Sequence, residues 1–331
     1  MPRTHPINVV ITGASSGIGQ ATAERFAARG ARLVLAARGV EALERVAERC
    51  RAIGADVRVL PTDVGDADAV ARLAQNAREW LGTIDLWFSN AGVGAVGRYH
   101  AVPLAAHAQV VRTNLLGHMH DAHAVLPVFL AQGHGIFVNM ISVGGFVAAP
   151  FAAAYSASKF GLRGFSEALR AELVDHPRIR ICDVYPTVVD SPGLPHGANY
   201  VGRRLSGPPP MLDPRAVADA VVRLADRPRD TVVLGTGVSA MRLAHALAPH
   251  TFAALMGRFF ARYFDRAEPV PVTDGNLFAP PATAGGIDGG LRRRRAANRS
   301  RAAALGLAGA ALLAGVAVAR LAARRAPGAA S

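Results

Sequence analysis

Apolar and polar positions along the first 235 residues alternate between two periods. Short β-rich runs fall near residues 7–12, 32–37, 57–61, 84–89, 135–141, 179–185 and 231–234. Between them lie longer segments with apolar residues at helical spacing, among them 21–29, 40–53, 67–81, 105–132 and 157–173. Strand–helix alternation of this kind predicts a parallel sheet covered on both faces by right-handed crossovers. Seven such strands predict an α/β fold, a Rossmann-like doubly wound sheet over residues 1–237.

The pattern changes after the sixth run. Residues 191–212 carry Ser191-Pro192-Gly193-Leu194-Pro195 and then Gly207 followed by three prolines, which predicts a long irregular loop. In 238–266, Leu255, Met256, Phe259, Phe260, Tyr263 and Phe264 recur at helical spacing with Arg258, Arg262 and Arg266 interleaved. This C-terminal amphipathic helical extension packs on the body or a second subunit, or else lies on a membrane or lines a greasy substrate entrance. Residues 267–301 are rich in Pro, Gly and then Arg, and read as a linker. Residues 302–319 are eighteen uncharged positions, an apolar tail helix before a basic tail at 320–331. At about 1.5 Å per residue this stretch spans about 27 Å, just short of a hydrocarbon core.

Composition sharpens two of these readings. The net charge of +13 looks like a nucleic-acid signal, but nine Arg and no acid lie between Leu291 and Ser331, and 13 − 9 leaves +4 for residues 1–290. The basicity belongs to the tail, and no aromatic platform accompanies it, so no nucleic-acid partner is expected. Arg292–Arg295, Arg299 and Arg301 precede the apolar stretch, and Arg320, Arg324 and Arg325 follow it. With no signal peptide before the first strand, the expected arrangement is a cytoplasmic catalytic domain with membrane contact through the C-terminal tail. An Ala-rich helix free of the membrane is the alternative. The two cysteines, Cys50 and Cys182, indicate neither a disulfide framework nor a metal site. Of 37 basic residues only Lys159 is a lysine. An ammonium on a thin stem is not replaceable by a guanidinium fork, which marks this position.

Three motifs carry chemistry. Thr12-Gly13-Ala14-Ser15-Ser16-Gly17-Ile18-Gly19 follows the first strand and opens a helix. Its glycines let backbone approach a pyrophosphate, and the helix N-terminus offers free N–H groups to anionic oxygens. The second strand ends Ala36-Ala37-Arg38, with no acid to accept ribose hydroxyls. Arg38 offers a guanidinium for a 2′-phosphate instead, which favours NADP(H) over NAD(H). Third, Tyr155 and Lys159 are four residues apart on a helical pattern, so the ammonium is expected beside the phenol, lowering its pKa.

With these motifs in this order, residues 7–235 resemble the short-chain dehydrogenase/reductase family. The resemblance implies a catalytic tetrad of Asn114, Ser142, Tyr155 and Lys159. Tyr155 would be the general acid or base, Lys159 would also bond the nicotinamide ribose, Ser142 would polarise the carbonyl, and Asn114 would hold a water linking Lys159 to solvent. It implies a cofactor site of Gly13, Ser15, Ser16, Gly17, Ile18, Gly19, Arg38, Asp63, Val64, Asn90, Ala91 and Gly92, with Tyr155, Lys159, Pro186, Val188 and Ser191 at the nicotinamide end. In Pro186-Thr187-Val188-Val189-Asp190-Ser191, Thr187 stands where the family has glycine and Ser191 where it has threonine; Thr187 is expected to narrow the pocket or shift the loop. A homodimer or homotetramer is implied as well.

The expected function is an NADP(H)-dependent oxidoreductase interconverting a carbonyl and an alcohol on a small lipophilic substrate. The competing class is a non-catalytic dinucleotide-binding protein acting as a cofactor sensor or membrane scaffold. Retention of all four tetrad residues favours the enzyme. His118, His120 and His123 also cluster; surface or subunit-contact histidines are expected there rather than a metal site.

Overall fold

The computed structural model describes residues 6–207, 210–281 and 285–292. Seven strands form one sheet in the order β3-β2-β1-β4-β6-β7-β9, and every pairing is parallel. They are β1 (Asn8–Thr12), β2 (Arg32–Ala36), β3 (Asp56–Val59), β4 (Leu86–Ser89), β6 (Gly135–Met140), β7 (Ile179–Pro186) and β9 (Thr231–Leu234). The order reverses at β1, which puts the crevice at the carboxyl ends of β1 and β4. The central strands β1, β4 and β6 are buried along their whole length, as sheets covered on both faces require. A second, two-stranded parallel sheet pairs β5 (Ala95–Val96) with β8 (Ala198–Asn199).

The helices are α1 (Gly17–Ala27), α2 (Val40–Ala52), α3 (Ala67–Leu81), α4 (Leu104–Val111), α5 (Gly117–Gln132), α6 (Ala153–Glu172), the short α7 (Gly193–His196), α8 (Pro214–Asp226), α9 (Val238–Leu247) and α10 (Pro249–Arg266). The expected segments fall on them with two differences. The 105–132 segment is two α-helices joined by a π-helical turn, Arg112–Leu116. The 238–266 extension is broken at Ala248, where Pro249 starts a new helix. α8 is not among the helical segments read above, although its start signal is in the sequence: Asp213 caps Arg215 N at 2.8 Å, and Pro214 takes the first helical position.

The reading of 267–301 as a linker does not hold for its first part. Asn199 pairs with Thr273 and Arg203 with Pro269 as antiparallel bridges, and Leu277 is fully buried beside Val93, Ala106 and Ala198. A chain rich in Pro and Gly can still bury one well-placed leucine. The loop 191–212 is likewise tied down, since the Ser206 amide donates to Tyr263 Oη of α10 at 3.0 Å. No helix among the described residues is long and apolar enough to cross a membrane. The apolar stretch 302–319 and the basic tail 320–331 lie outside the described residues.

Candidate active site

The glycine turn between β1 and α1 is fastened by one side chain. Asn90 Nδ2 donates to the carbonyls of Thr12 and Gly13, both at 3.2 Å, and Asn90 N donates to Thr12 Oγ1. Gly13 has φ +65°, and a β-carbon there would lie 2.8 Å from Ala91 Cα. A β-carbon on Gly19 would come within 2.1 Å of the Gly13 carbonyl, so neither position admits another residue. Ser16 caps α1 with extended backbone and makes no side-chain cap bond, and the first amides of the helix have no intrahelical acceptors. Turn, hydroxyl and amides fit an anionic ligand such as a pyrophosphate.

The far side of the crevice is held by α5. His118 Nε2 lies 2.9 Å from the Ala91 carbonyl and its Nδ1 faces Asn139 Oδ1; both partners are acceptors, so a neutral ring donates to one of them. Burial pushes His118 down to about 3, so the imidazole is neutral. The expectation of a surface histidine is corrected here: His118 is fully buried and locks the Asn90-Ala91-Gly92 turn. His120 reaches the Val64 carbonyl at 2.8 Å. The described residues contain no cluster able to hold a metal ion. Asp63 accepts the Gly65 amide at 2.9 Å, and Val64 packs against Gly117, so this pair is positioned by its own turn and by α5.

The tetrad residues come together around the end of β6. Ser142 follows that strand with φ +129°, and its Oγ accepts Gly144 N at 3.1 Å. The Tyr155 ring and the Ser142 hydroxyl both lie against Gly144. One turn further along α6, the Lys159 ammonium lies 5.7 Å from the Tyr155 ring centre and donates to the Met140 carbonyl at 2.9 Å. Asn114 sits in the π-helical turn, its Oδ1 accepting Val93 N at 2.8 Å and its Nδ2 donating to Val93 O at 2.9 Å. A π turn adds a residue per helical turn and swings the asparagine out of register, which helical periodicity could not anticipate.

The electrostatics differ from the expectation that Lys159 lowers the Tyr155 pKa. Burial pushes the Tyr155 hydroxyl above the ordinary tyrosine range, and the nearby Ser142 hydroxyl only partly offsets this. Burial also pushes Lys159 down to about 7, so near neutrality its positive charge is only partial.

At the other end of the crevice, Pro186 ends β7. The Val188 carbonyl accepts Leu212 N at 2.9 Å, and Ser191 N donates to the Val189 carbonyl at 2.9 Å. Thr187 N donates to the Leu234 carbonyl at 2.9 Å. Its side chain packs on Gly235, whose φ of +115° and missing β-carbon provide the space. A β-carbon on Gly235 would lie 2.2 Å from Thr187 Oγ1. Arg38 stands at the end of β2, and its guanidinium donates to the backbone carbonyls of Asn276 and Leu277 at 2.6 and 3.0 Å. No reading of the sequence linked these positions, 238 and 239 residues apart.

Residues 8–196 match the model of the short chain dehydrogenase family. The chain is similar to an uncharacterised oxidoreductase, YxnA, of Bacillus subtilis, with 31% identity over 251 residues, 75% of this chain and 70% of that one. Among solved structures it is similar to a short-chain dehydrogenase/reductase of Burkholderia phymatum in complex with NAD, at TM-score 0.66 and 26% identity, covering 82% of this chain and all of that one. It is also similar to an alcohol dehydrogenase of the archaeon Thermococcus sibiricus complexed with 5-hydroxy-NADP, at TM-score 0.61 and 27% identity over 70% of this chain and 96% of that one. The chain belongs to the short-chain dehydrogenase/reductase family. It is an oxidoreductase of the carbonyl/alcohol class.

Proposed function

We propose that the protein is an NADP(H)-dependent enzyme that interconverts a carbonyl and an alcohol on a small lipophilic substrate. The observation that carries the reading is the placement of Tyr155 and the Ser142 hydroxyl together against Gly144, with Lys159 one helical turn away. The residues of the crevice fit a nicotinamide dinucleotide: the turn 13–19 for the pyrophosphate, Arg38, Asp63 and Val64 at the adenosine end, and Asn90, Ala91, Gly92, Pro186, Val188 and Ser191 toward the nicotinamide. Similar proteins of known structure are described as complexes with NAD and 5-hydroxy-NADP, which supports that class of cofactor. The preference for the 2′-phosphate rests on Arg38 and on the absence of an acid at the end of β2.

When bound, the dinucleotide gives or takes the hydride. The chain's own residues handle the proton. In carbonyl reduction Tyr155 Oη donates its proton to the substrate oxygen while the Ser142 hydroxyl holds that oxygen by a hydrogen bond. Lys159 sits beside the phenol that is left negative and stabilises it when charged. Asn114 supports this end of the crevice through the Val93 backbone, and a water on its remaining Oδ1 lone pair would connect Lys159 outward. The lipophilic reading rests on the aromatic pair just before the helix of Tyr155, where Phe151 meets Phe264 edge to face at 5.1 Å between ring centres. Exposed Leu116 and Met119, and Phe160 on α6, support assembly into a homodimer or homotetramer.

The test is consumption of NADPH and NADH with a panel of aldehydes and ketones, for the wild type and Tyr155→Phe. The wild type is expected to turn over and to favour NADPH. The phenylalanine variant keeps the ring packing, loses the proton carrier and is expected to fall by at least about 10²-fold in kcat while binding the dinucleotide. Turnover of the variant at the wild-type rate would exclude this mechanism and favour a role in binding without chemistry.

A further inference from the structure

The segment that follows α10 returns across the dinucleotide crevice and touches it at three places. At the adenosine end, the carbonyls of Asn276 and Leu277 hold the Arg38 guanidinium, and Pro280 packs over Gly39. Over the phosphate turn, the Gly286 carbonyl accepts Gly17 N at 2.8 Å, and a β-carbon on Gly285 would lie 2.6 Å from Ser16 Cβ. At the nicotinamide end, Gly289 N donates to the Asp190 carbonyl at 3.0 Å, and a β-carbon on Gly289 would lie 2.5 Å from the Ser191 carbonyl. The segment is pinned at two further points. Leu277 is fully buried, and Asp288 makes a two-fold ion pair with Arg215 of α8, both bonds at 2.9 Å. The family match ends at residue 196, well before this segment.

We infer that residues 274–281 and 285–289 form an outer wall of the dinucleotide site, which must lift for the cofactor to enter or leave. This rests on the nicotinamide-dinucleotide reading above. Three features make the segment a wall rather than an occupant. Among its described residues, those that touch the phosphate turn are Gly285 and Gly286, so the contact there is made by backbone and places no side chain on the turn. It takes the amide of Gly17 and leaves the following amides of Ile18 and Gly19 to a ligand. It engages two N–H groups of Arg38, and a guanidinium has five, so three donors remain for a ligand. A rigidly held Arg38 binds a 2′-phosphate with less ordering of its long side chain. The wall therefore acts on the rate of release, where most affinity differences among related complexes reside.

The experiment uses the full chain with NADPH as probe. Release is followed by stopped-flow loss of NADPH fluorescence on chasing with excess NADP+. Asp288→Asn is expected to speed release about tenfold and weaken binding, and the charge swap Arg215→Asp with Asp288→Arg is expected to restore slow release. In the wild type, hydrogen exchange at the amides of Gly17 and Gly289 is expected to slow when NADPH is added. Unchanged release in Asp288→Asn together with unchanged exchange in the wild type would overturn the wall and leave the dinucleotide reading standing. Tighter binding with faster association in Asp288→Asn would also overturn it, because the segment would then compete with the cofactor. Failure of the wild type to bind either NADPH or NADH would overturn both readings.

Discussion

Asn114 closes on the backbone of Val93 from both sides, accepting its N–H at 2.8 Å and donating to its carbonyl at 2.9 Å. The carboxamide thereby replaces a strand neighbour for the chain just after the Asn90-Ala91-Gly92 turn. Asn114→Ala leaves a buried N–H and carbonyl unpaired, at about 1–3 kcal/mol for each group. The expected outcome is a lower urea midpoint together with a loss of kcat. Asn114→Asp keeps the acceptor for Val93 N but sets an oxygen against the Val93 carbonyl. It is expected to be no more stable than the alanine variant. Retention of wild-type stability by Asn114→Ala would show that water serves Val93 equally well.

Arg38→Asp removes the guanidinium that would meet a 2′-phosphate and adds a like charge against it. The ratio of kcat/KM for NADPH to that for NADH is expected to fall below the wild-type ratio. The same change removes both bonds to Asn276 and Leu277, so release of either cofactor is expected to be faster. An unchanged ratio would show that Arg38 does not read the 2′-phosphate.

Buried titrating groups give the protein two opposing pH dependences. Burial holds Asp121 up at about 7, although the hydroxyls of Ser89 and Thr12 donate to it and act the other way. An unfolded aspartate titrates near about 4, so between these values the folded chain keeps a proton that the unfolded chain has lost. The stability this contributes is full below about pH 4 and is lost as the pH rises through the folded value. His118 has the opposite sign. Its folded value of about 3 lies below an unfolded value of about 6.5, so its contribution is full above the unfolded value and is lost as the pH falls toward the folded one. Asp121→Asn removes only the first effect. Measured by urea unfolding at about pH 5 and about pH 8, its stability relative to the wild type is expected to rise with pH. A difference independent of pH would mean that Asp121 is ionised in the folded protein at both values.

Gly235→Ala puts a β-carbon against Thr187 and imposes an L side chain on a φ of +115°. Overpacking of this kind costs about 1–3 kcal/mol, and the backbone strain adds to it. Thr187→Gly in the same chain is expected to restore the packing part and leave the strain. A double-mutant cycle by thermal unfolding separates the two. Strict additivity would show that Thr187 and Gly235 do not share this space.

The order of strands and helices was legible in the sequence because a parallel sheet buried on both faces needs apolar runs, and its crossovers need amphipathic helices. The glycine turn and the Tyr155–Lys159 spacing were legible for a related reason. Each depends on neighbours within one turn of chain, where residue type and spacing fix the geometry. Lys159 stood out by composition alone. What the tertiary structure decided depends on contacts between distant segments. The buried state of His118 comes from Asn139 on a neighbouring strand, and the upward shift of Tyr155 comes from the desolvation of an assembled crevice. The π turn at Asn114 and the place Gly235 makes for Thr187 also carry no local signature. Residues 274–289 look like a spacer because Pro and Gly show no periodicity. Residues 274–281 and 285–289 reach the crevice only because Leu277 is buried, Asp288 meets Arg215, and backbone carbonyls, which every residue possesses, happen to face Arg38 and Gly17. Backbone donors and acceptors leave no mark in a sequence, so recognition built from them can be seen only once the chain has folded.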